Sequence, residues 1–515
     1  MNRRNFALSW GRKMFFGLGW PLFSLIGLFH LSGQLIPESP LSIVYFVMTF
    51  IGHYGLLTSL IYFILYVPIV SLIPSYYFSR LWTVVLVLGT SALLAFDAYL
   101  FSHYRLHVSP FVIELVQNGA FEKLLQVKQI ALVGVGAAAL ALFLYIWIRG
   151  ESLWRSMQRR FSNPVRNWYL VLILLCFMGS QGLHIYGDAF GKFEITQYSQ
   201  LFPFHYPATA RVVLSKLSIP MTESHTNPLM TGNFHYPLSK MSCSGVKNKN
   251  ILFILGDQWK PETLNEELMP SLTHYEQHGI KFSNHQATSI EASDAIFSLL
   301  YSMPGFYKEA ADLKKKTSVF MEELSKRNYE FSMTENWDGW IKSYIEKENR
   351  PPFFGIMNVN LSQDENSIKA FDAKIRKVVE ELEAQDILEN TIVVITAQQG
   401  SSLSDMKVPL IMIWNDSPHH NISSFTSHYD IVPTLMSEIW ECKNDSRNYS
   451  YGESLFKEEN KASYLISSPK DYLVLDPEDS EMIKITPGYN FKVEGNISTE
   501  FLLNTLREAT RFYRK

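Results

Sequence analysis

The sequence predicts two folds in one chain: a multi-pass α-helical membrane half, followed by an α/β half built on a mostly parallel sheet. Three observations predict this. Apolar runs of about 20 residues, the length that crosses a ~30 Å hydrocarbon core as a helix, recur as far as residue 187. Beyond residue 199, charged residues, Asn and Ser return at ordinary globular frequency. In that second part, short apolar runs suited to buried strands alternate with amphipathic helices, the pattern of a parallel sheet covered by helices. Whole-chain averages hide the division: 515 residues are 47% hydrophobic, with a mean hydropathy of +0.00. A net charge of −3 suggests no nucleic-acid partner. Three cysteines set no disulfide framework. Cys176 lies in an apolar run, while Cys243 and Cys442 pair only if the fold brings them together and are expected to stay thiols.

Arg3, Arg4, Arg12 and Lys13 precede an apolar run at 14–36, which has no small-residue cleavage site and reads as a retained first helix. Further spans are expected at 41–73, 81–101, 130–148 and 168–186, making five. Lys and Arg resist translocation, so the N-terminus, Arg80 and the group Arg149, Arg155, Arg159, Arg160 and Arg166 are assigned to the cytoplasmic side. The opposite side carries only Arg105, Lys123 and Lys128. Five crossings then leave the soluble half on the far side, in a bacterium the periplasm. Residues 107–127 mix Phe111, Leu115, Phe121, Leu124 and Leu125 with polar residues, as either an interfacial amphipathic segment or a loop helix packed on the bundle. Asp97, His53 and His184 fall in or near apolar runs; Asp97, close to the outer end of its helix, is expected to be wetted.

The last span runs into QLFPFHYPATARVVLSKL, which sets His205, Tyr206, Thr209, Arg211 and Lys216 at the level of lipid headgroups. Residues 217–249, with Pro220, Pro228, Gly232, Pro237 and Gly245, read as a linker. NILFILGD then reads as a buried strand ending in an acid, followed by FFGIMNVN, the helix FDAKIRKVVEELEAQDIL, and the strands TIVVITA and VPLIMIW. Ligands in such folds sit at the carboxyl ends of strands, where Asp257, Gln398 and Gln399 stand. The expected domains are 1–190 (membrane), 191–249 (junction and linker) and 250–515 (soluble).

NILFILGD, DAIFSLLYSMPG, ILENTIVVITAQQG and SHYDIVPTLM, in that order, resemble the sulfatase/alkaline-phosphatase superfamily. Combined with IGHYG in the second span, FSHYRLHVSPFVIELV after the third and YPATARVVLSKL after the fifth, the chain resembles the PbgA/YejM family of inner-membrane proteins of Gram-negative bacteria. The superfamily's chemistry uses a hydroxyl or modified-cysteine nucleophile beside divalent cations, whose charge lowers the nucleophile's pKa and neutralises the transferring oxygens. Asp257 matches the first metal-binding acid, but Gln398 and Gln399 replace an Asp-His pair, and SSLSDMK before Val408 carries no His. Glu291 or Ala292 stands where a Thr nucleophile would, with Ser289 or Ser293 in reach if the register slips. Amides hold Mg or Zn weakly, so no cofactor is expected. His419 and His420 read as a solvated turn, and His428 as a capping or packing residue.

The resemblance therefore implies a pseudoenzyme that senses lipopolysaccharide through its lipid A phosphate. Tyr206, Pro207, Thr209, Ala210, Arg211 and Lys216 stand at the lipid site, and Val212 replaces a second Arg of the pattern. The implied partner is a LapB-type adaptor that directs proteolysis of the deacetylase committing carbon to lipid A. Two other functions remain open: a metal-dependent phosphoethanolamine or phosphoglycerol transferase or hydrolase acting on lipids, and a cardiolipin-binding or transport protein.

Overall fold

The computed structural model describes residues 3–31, 39–117, 168–220, 234–334, 337–402, 405–457, 464–467, 472–475, 482–486, 492–494 and 499–513, with isolated residues at 37, 142, 150 and 152. The chain forms two compact units: residues 1–233 with 487–492 and 497–515, and residues 234–486 with 493–496.

Among the described residues, the first unit contains four helices long and apolar enough to cross a membrane: α1 (Arg3–Leu31), α2 (Pro40–Leu72), α3 (Tyr76–Tyr104) and α4 (Trp168–Ala189). The span expected at 130–148 lies, but for residue 142, outside the described residues, as does the segment 118–127. Of the expected amphipathic stretch, the described part holds a short helix, Pro110–Leu115, started by Ser109. Both α1 and α2 contain a π-helical stretch, Phe15–Gly19 and Ile61–Tyr66, just ahead of Pro21 and Pro68. Proline has no N–H to donate and its ring crowds the carbonyl one turn back; the wider turn relieves the crowding without ending the helix. Helices α2 and α4 approach closely because Gly52 faces the α4 backbone, where a Cβ would lie 2.6 Å from the Phe177 nitrogen. Between helices in lipid the attraction is packing, which small residues permit. The buried Thr49 and Thr58 hydroxyls are satisfied within their own helix, donating to the carbonyls of Tyr45 and Tyr54, each at 2.7 Å.

The last helix of the chain, Thr499–Ala509, and the turn Arg511–Tyr513 belong to this first unit. Arg105, in the left-handed conformation (φ 57°) that ends α3, donates from Nη2 to the Tyr513 carbonyl at 2.6 Å. Boundaries drawn in chain order at 190 and 250 do not represent this return.

The second unit is built on seven strands: β1 (Asn250–Gly256), β2 (Ile280–Phe282), β3 (Glu330–Met333), β4 (Phe353–Val359), β5 (Thr391–Ala397), β6 (Leu410–Ile413) and β7 (Asn421–Ile422), in the order β3-β4-β1-β5-β6-β2-β7. Strands β3, β4, β1 and β5 are parallel, and β6 is antiparallel to β5. Every residue of β1 and β5 is buried, which is why both appear in the sequence as near-continuous apolar runs, broken only by Asn250, Thr391 and Thr396. The helix Glu365–Ala384 covers the sheet with Ile368, Phe371, Ile375, Val378, Val379 and Leu382, at three- and four-residue spacings. Each such side chain contributes about 1.5–3 kcal/mol when fully buried. Asp364 starts this helix by accepting the Ser367 N–H at 3.0 Å. Its buried Asp372 accepts the N–H groups of Ser271 and Leu272 at 3.2 and 2.8 Å, capping the neighbouring helix Pro270–His278. A smaller sheet pairs Tyr464–Ser467, Tyr472–Leu475 and Met482–Thr486 antiparallel.

Two expectations are corrected here. Residues 234–249 are built into the second unit rather than left as linker: Phe234 and Tyr236 are buried, and the Tyr236 hydroxyl accepts the Val319 N–H at 3.2 Å. Cys243 and Cys442, expected as thiols, form a disulfide. Gly245 donates to the Trp440 carbonyl at 2.8 Å and Lys443 to the Ser242 carbonyl at 3.0 Å, which lays the two segments side by side with the cysteines opposite each other.

Candidate functional site

Parallel register places the residues after β1 and β5 together, since Gly256 pairs with Ala397. Asp257 is half-buried; its Oδ2 accepts the Leu361 N–H at 3.4 Å and its carbonyl accepts that of Gln399 at 3.3 Å. Gln398 is buried and donates from Nε2 to the Ala292 carbonyl at 3.3 Å, and Gly400 donates to the Ser289 carbonyl at 2.9 Å. The five sequence-derived positions, Asp257, Glu291, Ala292, Gln398 and Gln399, thus gather at one sheet end. Their chemistry is weak. The Ser289 hydroxyl is fully buried and accepts the Glu291 N–H at 3.0 Å. Glu291 is exposed at the start of the helix Ala292–Tyr301 without capping it, and Ser293 is exposed beside Asp294. One carboxylate with two amides, one of them (Gln399) holding its Oε1 buried without a partner, does not fit a firmly bound dication.

Two histidines of this unit, His428 and His419, serve packing. His428 is fully buried below the sheet end, with Nε2 3.4 Å from Thr396 Oγ1, and burial lowers its pKa to about 3. The capping expected of His428 is done by its neighbours, Ser427 and Asp430, which form a reciprocal box. His419 stacks on Phe456 with ring centres 4.0 Å apart. Ile413 pairs with Val393 near the start of β5, so His419 and His420 line a cleft at the opposite sheet end from Asp257.

In the first unit, the segment after α4 folds back on that helix's final turns. Gln181 Oε1 accepts the Ala208 N–H at 2.6 Å, and His184 Nδ1 lies 3.0 Å from the Ala208 carbonyl. Arg211 donates from Nε to Asp188 Oδ2 at 2.9 Å and from Nη2 to the Asp188 carbonyl. Gln181, His184 and Asp188 follow at i, i+3 and i+7, one helix face. Gln181 and Asp188 were missed from sequence, although polar residues at that spacing in an apolar helix were the available signal. Tyr206, Thr209 and Lys216 are exposed, and Ala210 is half-buried ahead of the short helix Arg211–Lys216. Val212, Val213 and Leu217 are also exposed, at 70%, 59% and 64%, so the segment offers an apolar flank beside its cations. His205 is a correction: it is buried against His53, its Nδ1 3.0 Å from the Ser199 carbonyl, and desolvation lowers its pKa to about 4.

Asp97 is the other correction. It is fully buried, not wetted, because the chain turns sharply at Arg105 and lays His107 and Val108 over it, while His30 approaches from α1.

A helical membrane unit followed by a sulfatase-like α/β unit defines the class. Residues 2–243 match the family described as Domain of unknown function (DUF3413), and residues 342–438 match the Sulfatase family. The chain is a relative of the inner membrane protein YejM of Salmonella typhimurium along nearly its whole length: 24% identical, over 98% of this chain and 97% of that one. An uncharacterized protein of Haemophilus influenzae is 23% identical over 91% of this chain and 90% of its own. A solved alkaline phosphatase superfamily protein from Vibrio parahaemolyticus is 14% identical, covering 56% of this chain and 92% of that one, with a TM-score of 0.41.

Proposed function

We propose that this inner-membrane protein is a non-catalytic sensor of lipopolysaccharide. Lipid A docks through its phosphate at Tyr206, Thr209, Ala210, Arg211 and Lys216, and occupancy regulates lipopolysaccharide synthesis through a LapB-type adaptor that controls deacetylase proteolysis. The soluble unit lies in the periplasm, a reading supported by the excess of Lys and Arg in the N-terminal segment and the loops that the sequence assigns to the cytoplasm.

The observation that carries the reading is the Arg211–Asp188 pair at the end of α4, flanked by the exposed Tyr206, Val212 and Leu217. A phosphorylated acyl lipid offers an anion and an apolar surface, which match these two kinds of side chain. A phosphate must share the guanidinium with Asp188 or displace that carboxylate. Either way it acts on the last turn of a membrane helix, and a ligand shifts an equilibrium through such differential contacts. The replacement of Asp-His by Gln398 and Gln399 supports the absence of catalysis.

The test uses the full chain purified in mild detergent, with bound lipids identified by mass spectrometry. Wild type should retain lipid A, and a Thr209→Ala, Arg211→Ala double variant should retain about tenfold less or lower, the equivalent of one charge-assisted bond. Equal retention refutes the site, and preferential retention of cardiolipin replaces the ligand. Hydrolysis or transfer of phosphoethanolamine that is lost on Asp257→Ala would restore the enzymatic reading. In a deletion strain, the double variant should fail to restore the wild-type deacetylase level.

A further inference from the structure

The cluster around Asp97 is unrelated to the lipid segment and to the sheet-end positions. His30 Nε2 lies 2.8 Å and His107 Nδ1 2.7 Å from the same oxygen, Asp97 Oδ2, and the three donor atoms are all within 4.8 Å of one another. The other carboxylate oxygen, Oδ1, accepts the Val108 N–H at 2.6 Å. His30 and Asp97 are buried, and His107 keeps 14% of its side-chain surface. The Phe101 ring stacks on His107 at 4.6 Å and lies 6.0 Å from His30, which fixes the tilt of both imidazoles.

This is the arrangement of a monodentate carboxylate ligand: one oxygen held by a backbone N–H, the other turned to two imidazoles. Two imidazole nitrogens converge on one buried carboxylate oxygen from elements far apart in the chain, which sets three metal-ligating atoms around a single point. We propose that His30, Asp97 and His107 bind one first-row transition-metal dication, fastening the ends of α1 and α3 to the loop that follows α3. Two imidazoles and one carboxylate suit Zn2+ and its neighbours rather than Mg2+ or Ca2+, which take oxygen ligands. A tetrahedral ion with bonds of about 2.0 Å sets its ligand atoms about 3.3 Å apart. The rings therefore back away by roughly half an ångström, a shift within reach of His107 on its loop.

Full-length protein in detergent, stripped by a chelator and then dialysed against Zn2+, should retain one zinc per chain by elemental analysis. Asp257→Asn, at the sheet end, should retain the same. His107→Gln and His30→Gln should each bind about tenfold or more weakly. Because a variant can fail to fold, the wild type is also read alone: Zn2+ should raise its melting temperature, and Co2+ should give the visible absorption of a four- or five-coordinate nitrogen–oxygen site. Wild type that holds no stoichiometric zinc, full retention by both histidine variants, or a Co2+ spectrum like that of the hexaaqua ion would each overturn the proposal.

Discussion

Replacing Gly52 with Ala tests whether backbone contact sets the seam between α2 and α4. The added Cβ would stand 2.6 Å from the Phe177 nitrogen, 2.8 Å from its Cα and 2.9 Å from the Cys176 carbonyl carbon, all main-chain atoms. Carbon contacts are comfortable near 3.5–4.0 Å, so the two helices must part by roughly 1 Å, and no rotamer change can help. Overpacking of this kind costs about 1–3 kcal/mol, offset in part by the better helix propensity of Ala, about 1 kcal/mol. A net loss on the order of 1.4 kcal/mol is tenfold in the population of opened seam. Cys176 reports that opening: it is 8% exposed, lies on the same seam, and is the sole thiol because the other two cysteines are joined. A membrane-permeant maleimide should label Cys176 about tenfold faster in Gly52→Ala than in wild type. Gly89→Ala, whose Cβ meets open space, and Gly179→Ala, which presses only on the mobile end of Met48, should label as wild type does. Equal rates for Gly52→Ala and Gly89→Ala would refute the reasoning.

Asp372→Ala strips the buried N–H of Leu272 and the part-buried N–H of Ser271 of their acceptor and should cost about 1–3 kcal/mol, read as a lower guanidinium midpoint of the α/β unit by tryptophan fluorescence. Cys243→Ser opens a link between residues 199 apart in sequence and should destabilise the same unit by about 2–5 kcal/mol, with reductant giving the wild type an equal loss. Burial lowers the pKa of His428 to about 3 and that of His205 to about 4. The unfolded chain therefore binds the proton first: stability is complete above the ordinary pKa of 6.5 and declines as pH falls toward the folded values, by at most about 1.4 kcal/mol per pH unit for each ring. Denaturation of His428→Asn between pH 7 and 4 should show a flatter decline than wild type, and parallel curves would contradict the assignment.

The strands were legible because complete burial leaves a mark: NILFILG and TIVVITA are apolar but for Asn250, Thr391 and Thr396, and carry no charge. The gathering of Asp257 with Gln398 followed from parallel register, which needs only the strand ends. Asp97 was misjudged because its surroundings depend on residues far away in sequence and on one backbone choice. His30 comes from 67 residues earlier, and the left-handed turn at Arg105 decides that His107 folds over the carboxylate. No local pattern announces either. Asp188 and Gln181 were readable in principle, as polar positions on one face of α4, but apolar length dominates the reading of such a helix. The cysteine pairing rests on main-chain bonds between segments about 200 residues apart, which composition cannot suggest.

The bond from Arg105 to the Tyr513 carbonyl spans 408 positions of chain, and its consequence lies in biogenesis. A ribosome delivers the helix Thr499–Ala509 only after the α/β unit, so the end of α3 waits through synthesis of that whole unit before Tyr513 arrives. That unit is an insertion within the membrane unit rather than an appendage to it. A stop codon between the α/β unit and Thr499 is then felt at the third membrane helix, and quality-control proteases would meet a bundle that lacks its Arg105–Tyr513 bond.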